Sequence, residues 1–273
     1  MRRLSIAVVA AASVVSFAPI VKAADLPVKA PLVAPPPVYN WTGFYGGLNV
    51  GYSWGRTTTD TTQGPATVGQ YATGPCDNNG AGPATGCSFS TSSHPKGAIG
   101  GIQAGYNYQT GAMVYGIEAD FDWRNGSDSG ITVFNGFYDN QVDSSTQRWV
   151  GTVRGRLGYA FANNWLAYLS GGLAYGNLAH TVTQTFCTGA ANCRVPRVVS
   201  DNTTKIGWVI GGGVDYALNR NWFVGVEYLY IGFESDTLSA SAATVGPTLY
   251  PAISSTFHDS SQAVRARLNY KFN

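Results

Sequence analysis

Three carboxylates at alternate positions, Glu118, Asp120 and Asp122, are the first residues in this chain whose types and spacing could do chemistry. In a strand they would share one face, where paired carboxylates can move protons or hold a cation. Arg154 and Arg156 repeat the spacing, Lys205, Asp215 and Glu227 follow, and the chain closes on Arg265, Arg267 and Lys271. Acids and bases are here in about equal supply. The set therefore reads as an interlocked ionic network, each charge neutralised by a neighbour, and no catalytic residue is assigned.

His94, His180 and His258 each stand beside the loop-side end of an alternating segment. Imidazoles at a common rim could ligate a metal or haem iron. No ligand-spaced motif accompanies them, so no metal or cofactor is assigned. Cys76 and Cys87 share one long connection, Cys187 and Cys193 another. In an oxidising compartment the even counts predict two intraloop disulfides, with three pairings formally open and a zinc site as the alternative. There is no nucleophile elbow, phosphate loop or metalloprotease helix, and the Gly-rich run 210–214 precedes no helix.

Strands must position these residues. Residues 262–272 show the rule: Val264, Ala266, Leu268, Tyr270 and Phe272 on one face, Arg265, Arg267, Asn269 and Lys271 on the other. Seven earlier segments follow the same design: 44–55, 98–109, 114–123, 148–160, 165–179, 203–217 and 222–233. Leu166, Tyr168, Phe223 and Leu229 interrupt the polar face. The charged residues of the strand cores all fall on that face. Outward aromatics gather at both strand ends, with Trp54, Trp123, Trp149, Tyr175 and Tyr230 at one and Phe44, Tyr108, Tyr159, Trp165, Tyr216, Trp222 and Tyr270 at the other.

Connections alternate in length. Residues 110–113, 161–164 and 218–221 are tight turns, whereas 56–97, 124–147, 180–202 and 234–259 are long and rich in Ser, Thr, Gly and Asn. An apolar wall facing out, ions facing in, two aromatic girdles and segregated loop lengths predict an all-β fold, an eight-stranded antiparallel up-and-down transmembrane β-barrel with short periplasmic turns and long extracellular loops. Lipid forbids an unpaired edge, so segment 262–272 must pair with 44–55.

The first residues agree with export. Arg2 and Arg3, an uncharged run from Leu4 to Val21 and the small-residue site at Val21-Lys22-Ala23 predict a cleaved signal peptide over 1–23. A Pro-rich tail over 24–40 is expected to be extended and mobile with no core role, followed by a barrel domain over 41–273. Of the 17 basic residues, Arg2, Arg3 and Lys22 belong to the leader. The exported chain is thus near neutral, which speaks against nucleic acid as a partner. Only 12% of residues are charged, 13% are aromatic and 34 are Gly, unusual for a soluble exported globule and fitting for a wall against lipid.

Residues 24–27 (Ala-Asp-Leu-Pro), the tract 39–47 (Tyr-Asn-Trp-Thr-Gly-Phe-Tyr-Gly-Gly) with Asn49-Val50-Gly51-Tyr52, and the closing Arg265-Ala266-Arg267-Leu268-Asn269-Tyr270-Lys271-Phe272 resemble the small porin-family outer-membrane barrels of alphaproteobacteria, related to the OmpA-like transmembrane barrel. The resemblance implies a non-enzymatic protein of the Gram-negative outer membrane that supports envelope integrity and offers loops for contact with host or environment. A narrow pore or a haemin-binding protein is the alternative. Outer-membrane lipid, lipopolysaccharide and the barrel-assembly machinery are the expected partners, with a host molecule or haemin at the loops.

Overall fold

The computed structural model describes residues 39–65, 86–134, 139–185, 195–245 and 248–272. The leader, most of the Pro-rich tail, Cys76, Cys187 and Cys193 lie outside these residues. Cys87 is disulfide-bonded.

Alternation of inward and outward side chains produces the described strands: β1 (Gly43–Gln63), β2 (Cys87–Ser93), β3 (Lys96–Thr110), β4 (Met113–Phe134), β5 (Asp139–Phe161), β6 (Trp165–Thr185), β7 (Arg197–Ala217), β8 (Trp222–Phe233), β9 (Asp236–Ala240), β10 (Ala243–Val245), β11 (Thr248–Tyr250) and β12 (Ile253–Lys271). β2 continues the path of β3 and β9 that of β8, so eight antiparallel staves make the wall. β12 pairs with β1 from Tyr45↔Lys271 to Gln63↔Ile253, which closes the ring and leaves no edge within the lipid layer. The closing seam is drawn tight at an inward glycine. A Cβ on Gly51 would lie 2.0 Å from the Val264 carbonyl oxygen and 2.8 Å from Arg265 Cα.

Between the aromatic girdles the wall is inside out. Leu48, Val50, Ile102, Ile117, Leu169, Leu173 and Val226 are exposed, and the buried side chains are largely polar. On β1 the span from Phe44 to Trp54 has the length a tilted membrane strand needs. Neighbouring rings make the girdles continuous. Trp149 stacks on Phe121 at 5.4 Å and meets Tyr175 edge-on at 6.0 Å near the loop end, while Trp165 contacts Tyr216 at 4.7 Å and Trp222 contacts Tyr270 at 5.1 Å near the turns.

The tight turns use backbone geometry that few residues adopt readily. Gly111 has φ 61°, Ala162 φ 46° and Asn163 φ 65°. At the third turn the Asn219 carboxamide oxygen accepts from the backbone N–H groups of Asn221 and Trp222, each at 3.0 Å.

The long connections differ from expectation, because much of them is strand. β4 runs for 22 residues and β5 for 23, well past the loop-side girdle. Above that girdle the barrel divides. The β3–β4 ladder ends at Lys96↔Ser127, and the β7–β8 ladder starts only at Gly207↔Phe233. Beyond these points β2-β1-β12-β9 form one four-stranded sheet and the distal parts of β4-β5-β6-β7 another. Side chains bridge the two seams: Asp128 accepts from the His94 amide at 2.7 Å, Lys205 pairs with Asp236 at 2.5 Å, and Arg197 donates to the carbonyls of Pro251 and Ser241 at 2.6 and 2.7 Å. The extracellular end is therefore a two-sheet head, with β10 and β11 as a short hairpin upon it.

Candidate functional site in the barrel lumen and its two ends

Period two turns Glu118, Asp120 and Asp122 of β4 inward toward Arg154 and Arg156 of β5, and the register sets Glu118 beside Arg154. Arg154 is the hub. Its Nη2 lies 2.6 Å from both Glu118 Oε1 and Asp120 Oδ2, its Nη1 2.7 Å from Glu227 Oε1, and its Nε donates to Thr152 Oγ1 at 3.0 Å. Arg156 reaches Glu118 Oε2 at 3.1 Å and Asp215 Oδ2 at 2.7 Å. From β12, Arg265 meets Glu227 Oε2 at 2.5 Å, Asp120 Oδ2 at 3.2 Å and Asp122, while Arg267 meets Glu118 and lies 3.5 Å from Glu227 Oε1. The paired side chains are at most 2% exposed. In a tube this narrow each member of this mesh finds an opposite charge, which offsets the cost of taking it from water.

Two tyrosines complete the mesh. Tyr45 donates to Glu118 Oε2 at 2.6 Å and accepts from Arg156 at 2.7 Å. The Tyr168 ring lies under the Arg156 guanidinium at 3.8 Å, and its hydroxyl donates to Glu227 Oε1 at 3.2 Å and accepts from Arg267. Arg124, in sequence the start of a loop, is buried instead and donates to Gln147 at 2.8 Å and Ser261 at 2.5 Å. Alternation does point it inward, since it continues the run of Glu118, Asp120 and Asp122; its place just past Trp123, where the long connection was expected to begin, hid it.

Two members of the expected network sit apart from it. Lys205 is drawn to Asp236 at the head seam. Lys271 caps the other end, donating to the Asn40 carbonyl and lying 4.5 Å from the centre of the Tyr39 ring. Tyr39 and Asn40 thus correct the expectation that the tail has no core role over 24–40. Trp41, 1% exposed, fills the periplasmic mouth between Tyr39 at 4.6 Å and Phe223 at 5.5 Å. Val114, Leu166, Ala217 and the rings of Tyr45 and Tyr168 pack around it. Those apolar interruptions of the polar face are a plug. The strap is pinned by Trp41 N donating to Gln109 Oε1 at 2.8 Å and Tyr39 N to the Asn163 carbonyl at 3.0 Å.

The three histidines do not converge. His180 is buried in the head, stacked on Phe257 at 4.1 Å, with Nε2 3.1 Å from Asp259 Oδ2 but off the line a hydrogen bond needs. Thr57 donates to the other oxygen of Asp259 at 2.5 Å. His258 faces outward near Ser235 and Asp60, and His94 is exposed in the short connection between β2 and β3. Among the described residues no cluster of His, Cys, Asp and Glu could hold a metal ion. Deeper in the head, burial raises the Asp143 carboxyl to about 6 against hydrogen bonds from Gln141 and Thr91 that pull the other way.

A family model described as an outer membrane protein beta-barrel domain matches residues 7–250. The 31 kDa outer-membrane immunogenic protein of Brucella melitensis is 32% identical over 97% of this chain and 99% of its own. The 25 kDa outer-membrane immunogenic protein of Brucella abortus is 26% identical over the whole of both, and the 22 kDa outer membrane protein of Rhizobium leguminosarum 32% identical over 54% of this chain and 58% of its own. Among solved structures, the outer membrane protease OmpT of Escherichia coli is similar over 86% of this chain and 98% of that one, at 7% identity and a TM-score of 0.43, a likeness that says nothing about activity. A ring closed by its first and last strands, apolar toward lipid and ionic within, and matched over most of its length by that family model, makes this chain a member of the outer-membrane β-barrel family, resident in the cell outer membrane.

Proposed function

We propose that the protein is a closed, non-enzymatic barrel that reinforces the outer membrane and carries a two-sheet head for contact with host or environment. The observation that supports this most is the filled lumen. The Arg154-centred mesh occupies the middle and the Trp41 plug the periplasmic mouth, so an ion crossing would have to break paired charges and displace an apolar cluster. A catalytic reading would need a nucleophile and base that substrate can reach. Among the described residues, Ser145 cross-strand from His180 with Asp259 nearby is walled in at 1%, 1% and 5% exposure, while Ser235, 2.8 Å from His258 Nδ1 with Asp60 3.5 Å from Nε2, lies open on the outer face of the head with the carboxylate and hydroxyl on the opposite ring nitrogens from those a Ser-His-Asp triad uses. Nor do His94, His180 and His258 offer haem iron a common site.

Reconstitution of the folded full chain into planar bilayers tests the reading. No discrete conductance above leak is expected, and regular stepwise openings in the unmodified protein would overturn it in favour of a narrow pore.

A further inference from the structure

Cations on a membrane barrel's outer wall need a reason, since a lipid-facing Arg or Lys costs about 2–4 kcal/mol at mid-depth and falls to 0–1 near the interface. Among the described residues this wall has three at the loop-side girdle, on β1, β3 and β5. Lys96 stands directly opposite Trp54 in the β1–β3 register. Arg56 is the next outward residue above Trp54 on β1. Arg148 is turned out beside Trp149 by the β5 bulge between Gln147 and Trp149. All three are exposed, and none pairs with a carboxylate among the described residues. Elsewhere near this level are Asn125 on β4 between Lys96 and Arg148, then Asn177, Ile206, the exposed Glu234 whose amide donates to the Ile206 carbonyl, and Gln262, while Lys205 points to Asp236 instead.

Above these cations the wall changes character. The sheet β2-β1-β12-β9 turns rows of hydroxyls outward, tied across strands by Thr62–Ser88 at 3.0 Å, Thr237–Thr256 at 3.1 Å and Ser239–Ser254 at 3.1 Å. It is too polar for acyl chains, and the carboxylate on this face, Asp60 of β1, accepts from Ser90 at 2.5 Å and lies 3.5 Å from His258 Nε2. Going up the wall from lipid, the order is aromatic ring, cation, hydroxyl. A phosphorylated glycolipid presents acyl chain, phosphate and sugar in that order.

We infer that the arc carrying Arg56, Lys96 and Arg148 is a binding site for the phosphorylated sugar headgroup of lipopolysaccharide in the outer leaflet. The three cations take its phosphates, and the hydroxyl rows of the head lie along its saccharide. Aromatic stacking at Trp54 and Trp149 sets the depth at which the phosphates meet the charges.

The test uses the folded full chain in a neutral detergent, titrated with purified Kdo2-lipid A, the same glycolipid stripped of its phosphates, and phosphatidylglycerol, with binding read by native mass spectrometry. Unmodified protein should bind Kdo2-lipid A at least tenfold more tightly than either of the others, with affinity falling as salt rises. The triple variant R56Q/K96Q/R148Q should lose about tenfold in that affinity, while R220Q, at the exposed periplasmic turn, should lose none. Heat-modifiable migration on gels verifies that each variant is folded. Equal binding of the three lipids by the unmodified protein overturns the inference whether or not the triple variant folds. So does a folded triple variant that binds like the unmodified protein.

Discussion

Arg154 touches Glu118, Asp120 and Glu227 at once, so its removal strands three carboxylates in a dry tube. Arg154→Ala is expected to cost about 3–5 kcal/mol in urea unfolding from liposomes. Adding Glu227→Gln to it should cost less than Glu227→Gln does alone, because the carboxylate removed has already lost this partner. Asp143 behaves in the opposite sense. Its carboxyl titrates near 6 in the folded head and near 4 when unfolded, so between those values the native state holds the extra proton. Stability should therefore rise as pH falls from about 7 toward 4. Asp143→Asn should flatten that slope and add on the order of 2 kcal/mol at pH 7, measured by chemical unfolding at a series of pH values. The inward direction of Glu118, Arg154 and Arg265 could be read from alternation alone. Their partners could not: Tyr45 and Tyr168 look like ordinary aromatic residues until the register brings Glu118 and Glu227 to their hydroxyls.

At the scale of elements, the membrane spans were legible because apolar and polar residues alternate in them, and the head strands were not because both of their faces are polar. Residues 57–63 of β1 read Thr-Thr-Thr-Asp-Thr-Thr-Gln, a composition that looks like loop. Yet Thr57, Thr59, Thr61 and Gln63 are buried against a polar interior while Thr58, Asp60 and Thr62 face outward, so period two persists without a hydrophobic signal. This segment is laddered on both sides, to β2 and β12. Its amides are expected to exchange with solvent at rates typical of strand, at least a hundredfold below the free-loop rate by mass spectrometry, and loop-like exchange over 57–61 would rule out the two-sheet head. The strap at the other end was missed for a related reason. Prolines before it suggested a mobile tail, and the burial of Tyr39 and Trp41 depends on a cavity that exists only once the ring has closed.

Over the whole molecule, one rule of side-chain direction meets two solvents. Val50 and Thr62 project from the same face of β1, and the change of medium between them falls at Trp54. Below that ring the outward side chain faces hydrocarbon, and above it water. The same substitution should therefore have different consequences at the two sites. Val50→Arg, near the middle of the apolar band, is expected to cost about 2–4 kcal/mol in urea unfolding from lipid vesicles. Thr62→Arg, on the exposed wall of the head, should stay within about 0.5 kcal/mol of the unmodified protein. In detergent micelles, where water lies closer to the barrel wall, the cost at Val50 should shrink and that at Thr62 should not move. Equal costs at the two positions in vesicles would mean that lipid does not end at the Trp54 girdle. The cations at Arg56 and Lys96 would then no longer stand at the headgroup layer, and the glycolipid site would lose its physical basis.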